Sequence, residues 1–221
     1  MMTAQGIANS IWAVAKLANT FNSEAWASLL PSLVSKVRVV VPDMIAQHTS
    51  NVIWATGQLS VDPSHAAISQ SLREVLPLVV TQAGTVLASA TAQELANACW
   101  GLALCDYTDA SFLRSAADKV TNEAAGWKPV GAQLDLPFVL CSFARLHADG
   151  HDDMMNAAAE KLAPMLSQVN DWGLCAVFWS YQQLDINDNL LAFRRNLNVE
   201  VKRRQLSDQD VVRSRLGPEA W

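Results

Sequence analysis

Charge is scarce in this 221-residue sequence: only 17% of it is Asp, Glu, Lys or Arg. That is below the usual share for a soluble domain, so a good part of the surface is expected to meet something other than water. No apolar run reaches the roughly 18–20 residues that a membrane-spanning helix needs. No glycine-rich phosphate loop, nucleophile–base–acid set or metal-spaced cluster stands out, so the sequence offers no catalytic residue, no cofactor and no metal site, and an enzyme is not expected. The four cysteines, Cys99, Cys105, Cys141 and Cys175, lack ligand spacing and a secretory context and are expected to be reduced, buried thiols. Met1 is followed almost at once by the first helix, and no targeting peptide is visible. Strand signals are missing too, since the one strand-like run, Val37 to Pro42, ends at a proline and has no partner.

What the sequence does contain is one phrase written several times. Residues 5–15, 47–57 and 93–103 each place Gln seven residues before a Trp and Asn three before it, with Ala or Gly one and three after. Weaker copies put Cys141 and then Trp179 at the anchor. The anchors Trp12, Trp54, Trp100, Cys141 and Trp179 are 42, 46, 41 and 38 residues apart, a period that marks stacked helical hairpins. The expected fold is all-α, an α-solenoid of about five helical-hairpin repeats in one array over 1–221. Repeats start near 4, 46, 92, 133 and 171, with a partial repeat at 207–221.

On a helix, the offsets minus seven, minus three and plus four from Trp lie within about 40° of one another. Each first helix therefore carries a polar stripe beside its Trp. The stripes are Gln5, Asn9 and Lys16; Gln47, Asn51 and Gln58; Gln93 and Asn97; and Gln183 four residues after Trp179. Small residues on the other flank, such as Ala8, Ala15, Ala96 and Ala103, let helices approach while the Trp fills the remaining space. The amides have two readings, as a binding surface or as ties to turn backbone and to the next repeat.

Second helices are expected from Ser23, from Pro63 behind the cap Asp62, from Thr108 or Asp109, and from Asn187 or Asp188. Pro31, Pro77 and Pro164 recur inside these helices and predict kinks. Gly126 to Gly131 reads as the clearest loop, and Pro137 opens or bends the fourth first helix. The turn at 145–153 holds His147, His151 and three aspartates. Gly150 breaks the helix between the histidines, so a polar turn is favoured over a metal site. Ser207 to Asp210 reads as a capping box. Neither end carries the polar face of a terminal repeat, so the ends are expected to be covered by further repeats or a partner.

The net charge of −5 argues against nonspecific polyanion binding. It is unevenly spread: 1–193 hold nine basic and 17 acidic residues, whereas 194–221 hold seven basic and four acidic. The basic group is Arg194, Arg195, Lys202, Arg203, Arg204, Arg213 and Arg215. It reads either as a solvated face or as a contact for phosphate or an acidic protein.

The phrases at 7–17 and 95–103 resemble the first helix of octotricopeptide repeats, a family of organellar helical repeats of roughly 38 residues. The resemblance spans nearly the whole chain as architecture and is sharp in three first helices. It implies RNA binding in organellar RNA metabolism or translation, in mitochondrion or chloroplast. The amide stripe would then face base edges, while Lys16, Arg145 and the 194–215 cluster meet phosphate. The rival expectation is a protein–protein scaffold, a subunit of a large organellar complex such as a ribosome, which the acidity and the uncapped ends favour.

Overall fold

A computed structural model of the chain describes residues 2–18, 23–184 and 190–214, with side chains omitted for 23–29. Every regular element among the described residues is helical, and none is long and apolar enough to cross a membrane. The chain divides into two compact units, Met1–Phe112 and Leu113–Trp221.

In the first unit, α1 (Ala4–Leu17), α3 (Ala46–Val61) and α6 (Ala92–Leu104) pack side by side, with α3 in the middle. Behind them lie α2 (Ser23–Val40), α4 (Ala66–Arg73) and α5 (Leu76–Val86). The layering follows from which helix faces are apolar. On α6 the run Ala98 to Ala103 is buried without a break, and the helix packs against α3. The close approach falls at Gly57, in the flank place that Ala15 and Ala103 hold in the other copies, and at Gly101, next to its Trp. A Cβ on Gly57 would stand 2.6 Å from Gly101 O, and one on Gly101 would collide with Ile53 O and lie 2.8 Å from Trp54 Cα. The backbones of α3 and α6 touch at a spot that only glycine fits.

The second unit begins within α7 (Ala110–Glu123) and repeats the pattern. Here α10 (Asp171–Gln183) lies between α8 (Pro129–Leu146) and α12 (Asp208–Ser214), backed by α9 (Asp152–Leu162) and α11 (Leu191–Arg203). Trp172 ties the layer together: its indole N–H donates to Ser214 O at 2.9 Å and its ring lies 4.4 Å from that of Phe138. Tyr181 joins α10 to α9 by donating to Met155 O at 2.7 Å.

Helix starts follow local side-chain chemistry. The Thr3, Asp62, Asp109 and Asn170 side chains accept from Gly6, Ser64, Phe112 and Gly173 N–H groups. Ser207 and Asp210 form a reciprocal box. The cap expected from Ser23 and the start expected at Asn187 or Asp188 lie outside the described side chains and residues.

The prolines need correction. Pro31 does lie inside α2, but Pro77 is the second residue of α5, and Pro164 opens a 3₁₀ turn, 163–168, after α9. A first turn has no use for the missing N–H, so proline starts a new segment there at no cost. The helix expected from Pro63 to about Gln82 is accordingly broken into a 3₁₀ turn, α4 and α5. Likewise the loop expected at 126–131 shrinks to Trp127 and Lys128, because Pro129 begins α8, and Pro137 lies inside that helix.

Candidate binding groove

Three of the repeated phrases come together on one face of the first unit. Asn9 from α1, Gln47 and Asn51 from α3, and Gln93 and Asn97 from α6 line a groove of about 640 Å³, together with Trp12, Ala13, Thr91 and Glu94. Their convergence follows directly from the spacing: the same offsets from Trp on parallel, adjacent helices place like residues side by side. Gln5 is exposed on α1 and Gln58 half-buried on α3, both outside the groove lining.

None of these Gln and Asn side chains is hydrogen-bonded to another described residue. The tying of turn backbone is done by other amides: Gln82 Nε2 donates to Met44 O at 2.9 Å, and Asn170 Oδ1 accepts from Gly173 N at 2.7 Å. The stripe thus keeps its donors and acceptors for something other than this fold.

The tryptophans differ from expectation. Trp100 is 1% exposed and fills space between helices, as Trp179 does at 9%, whereas Trp12 is 40% exposed and forms part of the groove. The same four matched positions thus go with different burial, and among the described residues the contacts of the Trp12 ring are with Trp54 and Lys16. The Trp12 and Trp54 rings are 6.3 Å apart at 35°, and Lys16 Nζ lies 4.5 Å from the Trp54 centroid and 5.6 Å from that of Trp12. Such cation–π placement holds an ammonium without a carboxylate, and no carboxylate pairs with Lys16 among the described residues.

Glu94 is the one acid in the lining, and it is occupied. Its Oε2 accepts from Thr91 N at 2.8 Å while Thr91 Oγ1 accepts from Glu94 N at 3.3 Å, a capping box for α6. Nearby, buried His48 accepts from Ile45 N at 3.5 Å. Burial lowers its pKa below the ordinary value, and Glu94 works against that shift.

The remaining expected residues belong to the second unit. Gln183 is exposed at the end of α10; Arg145, in the last turn of α8, is half-buried and already partnered. Arg194, Arg195 and Lys202 are exposed on α11, the first two beside a pocket of about 220 Å³ with Phe178, Tyr181 and Leu197. Arg203 and Arg204 serve the fold instead. Arg203 makes two bonds to Glu200, at 2.6 and 2.8 Å. Arg204 donates to Glu200, to Asp171, and to the carbonyls of Leu166, Ser167 and Val169. Those carbonyls end the 3₁₀ turn and have no helical partner, which is why a guanidinium fork suits the place. Arg215 lies outside the described residues.

The 145–153 turn is built by backbone geometry. His147 closes α8 at φ 47°, Gly150 has φ 72°, and His151 Nδ1 is 2.7 Å from Ala148 O. Among the described residues no three His, Cys, Asp or Glu side chains gather as a metal site would require. All four cysteines are free and buried, and burial pushes Cys99, Cys141 and Cys175 up to about 12. No protein-family model matches the chain and no curated protein matches it significantly, so the likeness to octotricopeptide repeats stands on the repeated residues themselves.

Proposed function

We propose that the chain is an RNA-binding helical-repeat protein, non-enzymatic, whose α1–α3–α6 groove receives an unpaired stretch of RNA. The observation that carries this reading is the set of five groove amides with no hydrogen-bond partner among the described residues, beside an open indole and a lysine that pairs with no carboxylate among them. Amides offer a donor and an acceptor together, the pattern on the edges of bases. Unpaired bases are what RNA-binding repeats read, since the major groove of an A-form duplex is too deep and narrow for side chains to enter. Among the described residues the groove lining holds a single carboxylate, Glu94, and one of its oxygens already accepts from the Thr91 N–H. The anchor spacing supports one array of about five hairpins, and the likeness to octotricopeptide repeats supports an organellar setting in RNA metabolism or translation.

A second reading is a scaffold that grips an extended polypeptide, for which the same amides would bond peptide backbone. It is favoured by the first unit's four basic against seven acidic residues in 1–112, a weak field for a polyanion.

Crosslinking in cells, followed by sequencing of bound RNA, tests the first reading. The comparison is a triple variant, Asn9→Leu, Asn51→Leu and Asn97→Leu, which removes the amides and keeps their approximate volume. Each amide reading a base edge contributes on the order of 1–3 kcal/mol, so recovery should fall at least tenfold, roughly, in the variant. Equal recovery from both proteins would place RNA elsewhere on the chain. No RNA above background from the wild type would leave the scaffold reading in possession.

A further inference from the structure

The three best-matched repeats share their Trp, yet only Trp12 offers a large open aromatic surface, and it does so inside the amide groove. One part of its ring lies against Trp54 and Lys16 leans over both rings. The remainder faces the groove, with Asn9 one turn earlier on the same helix and Asn51 across on α3. An indole held in place by a neighbouring ring and a bridging ammonium is a rigid shelf, and every base has a π-face that can lie on one.

We infer that Trp12 is the stacking platform for one unpaired base, that Lys16 meets the phosphate of the same nucleotide, and that the Asn9 and Asn51 amides select the base by its edge. This rests on the RNA reading above and assigns a division of labour within it. Stacking is indifferent to base identity, so Trp12 supplies affinity and the amides supply choice. Lys16 has no carboxylate to give up among the described residues. It can therefore turn its charge to a phosphate while its stem stays on the rings.

The full chain is titrated with oligoadenylate, oligouridylate and oligocytidylate of about ten nucleotides, the scale of single-strand sites. Affinity and the quench of tryptophan fluorescence are both read. Trp12→Ala is expected to weaken binding about tenfold for every base. Asn51→Leu should change the ranking among the three. Lys16→Met should reduce the slope of log affinity against log salt by about 0.7. Trp12→Phe still stacks, so it should retain most of the affinity while losing part of the quench; this variant decides the matter if the alanine protein does not fold. Wild-type binding with unchanged affinity in Trp12→Ala, or an unchanged quench in Trp12→Phe, overturns the platform and leaves the RNA reading standing. If the wild type binds none of the three and instead takes up an extended peptide library, both fall together.

Discussion

At Gly101 one added methyl group would have to occupy space already filled by the backbone of α3. A side chain can rotate away from such a clash, but a main chain moves only with its helix. Gly101→Ala is therefore expected to cost about 2 kcal/mol or more, visible as a lower urea midpoint. Gly84, in the last turn of α5 with nothing within 4 Å of its would-be Cβ, gives the contrast: Gly84→Ala should stabilise by about 0.5 kcal/mol. The sequence showed a small residue one position after each Trp, but not that Gly101 must be glycine, since Ala13 and Ala55 hold the same place in the other copies. Nor was the exposure of Trp12 readable, because burial depends on what lies beside a helix and the repeated phrase reads the same in every copy.

At the scale of elements, helix starts were legible wherever a capping side chain precedes them, as at Asp62, Asp109 and Ser207. The effect of proline was half legible: the residue type says that a hydrogen bond is missing but not whether the helix bends there or begins again. Nor did the basic cluster on α11 announce that two of its members belong to the fold. Arg204→Met is expected to destabilise by about 2–3 kcal/mol, since it strips charged donors from half-buried carbonyls and from Glu200. Arg194→Ala and Arg195→Ala should stay within about 0.5 kcal/mol of wild type in the same denaturation assay. The triad also has a pH signature. Hydrogen bonds from Arg203, then Arg204, hold the Glu200 carboxyl at about 2, against an ordinary 4.5. A depressed carboxylate stabilises the fold above its unfolded value, and that contribution drains away as pH falls from 4.5 toward 2. Thermal unfolding of Glu200→Gln should show less loss over that window than the wild type does.

For the molecule as a whole, the all-helical fold of the described residues was legible because a period near 40 comes without strand signals, which leaves stacked helical hairpins as the reading. The meeting of five stripe residues in one groove was legible as geometry, whereas the freedom of their amides was not, since hydrogen bonding depends on neighbours the sequence does not place. The net charge of −5 carries its own expectation. If RNA binds through amides and one indole, few counterions are displaced, and the slope of log affinity against log salt should be no steeper than about −2. Titrations at several potassium chloride concentrations would reveal a steeper value if the basic face of α11 dominates. Finally, the sealed sulfurs give the molecule internal clocks. Cys99 and Cys105 lie in one unit, Cys141 and Cys175 in the other, and none can meet an alkylating reagent until the helices around it part. The speed of alkylation at each position is then a local measure of how often that part of the protein breathes, and comparing the two pairs tells whether the halves come apart in step or each on its own schedule.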